Sequence, residues 1–315
     1  MFAGKKGVLF HWVYEAWRGK LRKAFLLLLI MVLLYQASVF SVSIIVAAHA
    51  ADISPTALNT ATGGGSESGK DELSVLFINV GKADAILLRY DDKAFLIDTG
   101  DKASVPGLFG ALNLFGVDRL DGVFLTHTHS DHTGGLKALA QYYGVGELYS
   151  SVFSENKKNG KNVIDELAQE LSLPHRKLRA GERVHISRDV FLDVLGPVVL
   201  NAQDDNDNSL VLKLSVYGRA FLFTGDMQFA GEDALLRSSA DVDSDVLKVG
   251  NHGNPDATSE QFAAAVSPQA AVISTDTLED RDSANERVLA ALKGSEVFIT
   301  ENFTRGVLFT VRADG

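Results

Sequence analysis

In the stretch THTHSDHT, residues 126–133, three histidines and one aspartate fall within six positions: His127, His129, Asp131 and His132. Imidazole and carboxylate are the ligand set expected for zinc, with manganese or iron as alternatives. Residues two apart at the end of a strand can point the same way, so His127 and His129 can grip one ion together. Asp131 and His132 lie just past the turn, where they can face a second ion. A lone histidine is more often a hydrogen-bonded structural residue. Several costly polar side chains packed side by side need a shared purpose, and a metal supplies one. Gly134 and Gly135 follow, and they let the backbone turn tightly into a helix.

The elements that must position this loop can be read around it. The run ending at Thr126 predicts a strand over residues 123–126. Upstream, LSVLFINV, AILLRY and AFLIDTG are short β-branched and aromatic runs broken by Gly and Asp, which predict strands. Helical patterning is expected over residues 108–115, 135–143 and 163–171. Further strands are expected at 190–194, 209–216, 219–224, 245–249, 270–274, 297–300 and 306–311, and helices at 231–238, 259–265 and 285–292. AFLIDTGD (residues 94–101) is echoed by AFLFTGD (220–226). Each is a strand of buried type that runs into Thr-Gly and an acid, where a carboxylate would emerge. Two β-rich halves flanked by helices predict an α/β (α+β) domain with two sheets face to face and helices outside.

Composition narrows the chemistry. The chain has 315 residues and no cysteine, which excludes disulfides, a disulfide-linked partner, thiolate ligands and a cysteine nucleophile. Of 30 Lys/Arg and 40 Asp/Glu, six bases and one acid fall in residues 1–51, so the rest carries 24 bases against 39 acids. A body with net charge −15 is not a general nucleic-acid binder, because phosphate neutralisation needs clustered Lys and Arg. No phosphate loop is found either: TGGGS at residues 62–66 has no strand before it and no helix after it.

The N-terminal part reads differently. Residues 1–23 are basic, and residues 24–50 form an apolar run without Asp, Glu, Lys or Arg. A positive flank before such a run predicts a cytoplasmic N-terminus and a body across the membrane. Ala48-His49-Ala50 resembles a signal cleavage site, so secretion after cleavage at Ala50 is one outcome. The run is also long enough to span a bilayer, and a retained transmembrane anchor is the other. Residues 51–72 are expected to be a flexible Gly/Ser-rich linker to a hydrolytic body over 73–315.

FINVGKADAILL (77–88), LIDTG (96–100), LTHTHSDHTGGL (125–136), NSLVLKL (208–214), FLFTGD (221–226) and SDVLKVGNHG (244–253) together resemble the metallo-β-lactamase superfamily. Within it they are most similar to the extracytoplasmic hydrolase domain of ComEC-type DNA-uptake competence proteins. The resemblance implies a four-layer αββα sandwich and two divalent metal ions, zinc or manganese. It implies that His127 and His129 hold the first ion, that Asp131, His132 and His252 hold the second, and that Asp226 bridges them. Asp98 would orient the His-rich loop from behind the ligands, and Asn208 is placed behind them too. Many superfamily members carry a further histidine for the first ion. The histidines between His132 and Asp226 are His175 and His185, and neither fits that place, so the first site has fewer ligands. The family's His-His-Gly is Asn251-His252-Gly253 here, and its Val-Gly-x-Gly-Asp is Val80-Gly81-Lys82-Ala83-Asp84. The implied activity uses a metal-bound hydroxide, with Asp131 orienting or deprotonating the water. Phosphodiesters, DNA among them, are the first expected substrates. Small esters, amides or lactones come second, and a non-catalytic metal-stabilised surface module third.

Overall fold

The computed structural model describes residues 71–153 and 162–313. The expected basic segment, the membrane or signal segment at 24–50 and most of the linker lie outside the described residues. Among the described residues no helix is long and apolar enough to cross a membrane. Residue 72, the last of the expected linker, is the first residue of strand β1.

Two seven-stranded mixed sheets form the body. The first contains β1 (Glu72–Ile78), β2 (Ile86–Tyr90), β3 (Lys93–Ile97), β4 (Leu120–Leu125), β5 (Val145–Ser151), β6 (His175–Leu178) and β14 (Gly306–Arg312). Its order is β14-β1-β2-β3-β4-β5-β6, antiparallel up to β3 and parallel from β3 to β6. The second contains β7 (Arg183–His185), β8 (Phe191–Gly196), β9 (Val211–Val216), β10 (Arg219–Phe223), β11 (Val246–Lys248), β12 (Ala270–Ile273) and β13 (Glu296–Ile299). Its order is β13-β12-β11-β10-β9-β8-β7, with β7 to β10 antiparallel and β10 to β13 parallel. The AFLIDTGD and AFLFTGD runs therefore occupy matching places. Each is the second strand of a hairpin and pairs in parallel with the strand that follows.

The core follows from the alternation of each strand. One face of both sheets meets in a shared apolar layer that includes Phe77, Phe124, Leu192, Phe221, Phe223 and Phe309. The rings of Phe77 and Phe223, from opposite sheets, lie 6.1 Å apart. The outer face of the first sheet is covered by α1 (Val105–Leu114), α3 (Leu136–Tyr142) and α4 (Val163–Leu171) through residues such as Leu112, Leu139 and Ile164. The outer face of the second is covered by α5 (Phe229–Arg237), α6 (Glu260–Val266) and α7 (Glu286–Ala291) through Leu235, Phe262 and Val288. The result is the expected layering of helices, sheet, sheet and helices. A single turn, α2 (Ser130–Thr133), lies inside the His-rich loop.

Three strands escape the sequence pattern. β6 is His-Arg-Lys-Leu, of which only Leu178 is buried, and β7 is Arg-Val-His with only Val184 buried. Each forms one edge of its sheet, so solvent covers most of its side chains and no long alternation is needed. β5 contains Gly146 and two serines, weak strand formers held in place by neighbours on both sides. Helix α1 begins at Val105, earlier than the expected 108, with Pro106 in its first turn.

Candidate metal centre

The residues with chemistry sit at the carboxyl ends of strands, where open α/β sheets usually place their ligands. Asp98 follows β3, Thr126 to His132 follow β4, Asp226 follows β10, His252 follows β11, and Ser274 follows β12. Asp98, Asn251 and His252 adopt positive φ of 59°, 42° and 52°, a region in which Asp, Asn and His are the commonest residues after glycine. Gly135 is there by necessity, since a Cβ would stand 2.2 Å from the Thr99 carbonyl oxygen. Thr99 in turn donates both its N–H and its hydroxyl to the His132 carbonyl, at 2.8 Å each. The loop is thereby pinned to the end of β3.

Ring orientation is set by hydrogen bonds on the far side of each histidine. His132 Nδ1 donates to Asp98 Oδ2 at 2.7 Å, and His252 Nδ1 donates to the Ser274 carbonyl at 2.8 Å. His127 Nδ1 lies 3.1 Å from Thr126 Oγ1, which itself donates to Asp98 Oδ2. All three rings present Nε2 to a common point, and for His132 and His252 the acceptor at Nδ1 sets the tautomer a metal ligand needs. That point is Asp226 Oδ2, at 3.1 Å from His132 Nε2, 3.3 Å from His252 Nε2 and 3.9 Å from His127 Nε2. Asp131 Oδ2 comes within 3.4 Å of His252 Nε2.

Asp131, His132, Asp226 and His252 offer one ligand atom each, all within 4.8 Å of one another. His127 and His129 stand beside this group, with His127 Nε2 at 2.9 Å from His129 Nδ1. The structure thus brings together all six residues expected around metal, as a tight four-residue group and an adjoining pair. His129 is solvent-exposed and marks the mouth.

The donor set fits a divalent cation. His252 Nε2 is buried and makes no hydrogen bond among the described residues. Burial resists protonation of His252, yet Asp226 and Asp131 outweigh it and push its pKa up to about 9. Burial is likewise overcome at His132, where Asp226 and Asp98 raise the proton affinity well above the usual range. Asp226 is held well below the usual carboxylate range, its burial outweighed by His132 and His252. A pocket that draws protons onto two buried imidazoles is strongly negative, and a dication can take the place of those protons.

His175 and His185 do not reach the site. His175 Nε2 is 2.8 Å from Ser150 Oγ on the neighbouring strand, and the His185 ring packs near Phe191. Asn208 does not point at the first pair either. Its amide is used in the loop before β9, donating to the carbonyls of Asn201 and Asp204 and to Asp205 Oδ1. Its link to the histidines runs through Asp205, whose Oδ2 accepts from Thr128 N and Thr128 Oγ1 at 3.0 and 2.5 Å.

Two lysines at the site carry no signal in the sequence. Lys82 Nζ, part-exposed at the mouth, donates to Asp131 Oδ2 at 2.8 Å. Lys248, 1% exposed at the end of β11, pairs with Asp84 and lies 3.6 Å from Asp226 Oδ1. A lysine in an apolar strand ordinarily points outward, and the acids that hold this one inside come from distant parts of the chain.

Known proteins match this chain. A family model described as the metallo-beta-lactamase superfamily matches residues 78–277. ComE operon protein 3 of Bacillus subtilis is 26% identical over 217 residues, 69% of this chain and 27% of that protein. Competence protein ComA of Neisseria gonorrhoeae is 31% identical over 214 residues, 65% of this chain and 27% of that protein. The chain spans about a quarter of the length of these curated relatives. The crystal structure of the metallo-beta-lactamase fold protein YhfI from Bacillus subtilis aligns with a TM-score of 0.54 at 15% identity. It covers 76% of this chain and 100% of that one, a likeness of fold alone.

Proposed function

The chain belongs to the metallo-beta-lactamase superfamily and is a metal-dependent hydrolase, and on that footing we propose that it cleaves phosphodiesters outside the cytoplasm. The observation that carries this reading is the convergence of His132, His252 and His127 on one oxygen of Asp226. In this reading Asp131, His132, Asp226 and His252 would hold one divalent ion, and His127 and His129, beside Asp226, would hold another. When bound, such ions supply activated water near neutral pH and neutralise charge on the departing group. Zinc and manganese both suit the donors.

The protein's own groups do the rest. Asp131 lies at the mouth and can orient the attacking water or take its proton. Lys82 fixes Asp131 by its hydrogen bond and presents a part-exposed ammonium to an incoming anionic group. Asp98 and Ser274 keep the rings of His132 and His252 from rotating. Similarity to competence proteins supports DNA as one such phosphodiester.

One observation favours a second reading, hydrolysis of a small ester, amide or lactone. The loop beyond β12 carries Asp276, Glu279, Asp280 and Asp282. Glu279 lines a cleft with Lys82 and Asp101, and Asp280 accepts from Asn254 beside the His252 turn. Such a rim repels a long polyanion more than a small substrate.

Bis-p-nitrophenyl phosphate, a simple ester and a β-lactam, each assayed with and without added metal, separate the readings. Metal-dependent phosphodiester cleavage that disappears in His129→Ala and Asp226→Ala is the expected result. Turnover that survives both substitutions overturns the metal-hydrolase assignment of these residues, and ester cleavage alone favours the second reading. Placement outside the cytoplasm draws its support from the basic flank and apolar run at residues 1–50. A reporter active only outside the cytoplasm, fused after residue 315 of the full chain, tests it.

A further inference from the structure

Asp226 divides its two oxygens between different partners. Oδ2 faces the imidazoles, whereas Oδ1 faces Lys248 Nζ at 3.6 Å. The same ammonium donates to the carbonyl of Gly225 at 2.9 Å, so it hydrogen-bonds the peptide before Asp226 and faces the far side of its carboxylate as an ion pair without a hydrogen bond. Asp84 closes the arrangement by pairing with Lys248 from the other side. Asp84 is also tied to the metal-facing loop, because its N–H donates to the Asp131 carbonyl at 3.2 Å. Asp84 and Lys248 are both 1% exposed. Taking an ion pair out of water is unfavourable unless its geometry is used, and an apolar pair of similar volume would hold the sheets together as well.

We propose that Lys248 is a positioning residue for Asp226, a built-in monocation that reserves Oδ1 and leaves Oδ2 alone to serve the ions. Asp84 anchors Lys248 in that role. A carboxylate with both oxygens free can swing and grip a single ion with the pair of them, which would draw Asp226 away from the shared position between His127 and His132. Lys248 prevents this by holding the carboxylate at its back and its own peptide carbonyl at once. The proposal rests on the reading that Asp226 is a metal ligand.

Cobalt(II) loaded into the full chain tests it without substrate, because the intensity of its visible absorption reports coordination number and geometry. Lys248→Met removes the charge at similar volume, and Asp84→Asn loosens the anchor with little change of shape. The expected result is a changed cobalt band intensity in Lys248→Met, a smaller change in the same direction in Asp84→Asn, and a tenfold or greater shift in metal affinity for the first. A Lys248→Met protein that folds, as judged by circular dichroism and melting, yet keeps the parent spectrum and affinity overturns the proposal. Should Lys248→Met not fold, an Asp84→Asn spectrum identical to the parent's overturns it instead. Asp226→Asn is the control for the underlying reading. If that substitution leaves the cobalt spectrum untouched, Asp226 is not a ligand, and it is the metal-site assignment that fails.

Discussion

Replacing Asp98 with asparagine should weaken metal binding while sparing the fold. Asp98 is buried and accepts three short hydrogen bonds: 2.8 Å from Thr126 N, 2.8 Å from Thr126 Oγ1 and 2.7 Å from His132 Nδ1. An asparagine has one accepting oxygen in place of two. If that oxygen stays with Thr126 N, the new amide group meets His132 Nδ1, which must then accept. The ring proton moves to Nε2, the atom that faces Asp226 and would hold the ion. If the amide turns over instead, Thr126 N meets a second donor and the loop start loses its anchor. Removing a partner of this kind costs about 10–100-fold in metal affinity, or about 1.4–2.8 kcal/mol. Titration of the full chain against a chromophoric zinc chelator, in parent and Asp98→Asn, measures this directly. Binding within twofold of the parent would refute the argument that Asp98 selects the His132 tautomer.

Other perturbations probe separate parts of the site. Asp205→Ala removes the carboxylate acceptor of Thr128 N and Thr128 Oγ1 and one of the three acceptors of Asn208 Nδ2, and should lower stability by about 1–3 kcal/mol in urea unfolding. A chelator should lower the melting temperature, and added zinc should restore it, because folded but not unfolded chain holds the ion in preformed geometry. Burial lowers the pKa of His175 below its ordinary 6.5, so the unfolded chain takes up a proton first as the medium is acidified. Stability from this residue is therefore present above about pH 6.5 and lost as pH falls below it. His175→Gln should flatten that part of the stability profile, read by urea midpoints between about pH 5 and 8.

The sequence made the His-rich loop legible because its residues are close together along the chain and too polar to share a strand end by accident. The strands that carry Asp98 and Asp226 were equally plain, since both are buried runs closed by Thr-Gly. What stayed hidden depends on distance along the chain. Lys248 lies inside VLKVG, where its neighbours announce a strand but not the inward turn of the lysine. Only folding brings it against Asp84, from a segment more than 160 residues earlier. Asp205 was hidden for the same reason, as its partner Thr128 belongs to the other sheet's loop. The edge strands β6 and β7 were invisible because a short strand washed by solvent on most sides has no need of an apolar alternation.

The pairing of β1 with β14 has a consequence for how such a body can be used. Glu72 lies opposite Arg312, and their side chains meet at 2.7 Å. The backbone therefore enters and leaves the hydrolytic body at one corner of one sheet, on adjacent strands. A unit whose two ends emerge side by side can be spliced into a surface loop of another protein, or hung from either end, without prising its sheets apart. It behaves as a cassette. The same geometry should allow residue 313 to be joined to residue 72 through a short loop and the chain reopened elsewhere on the surface.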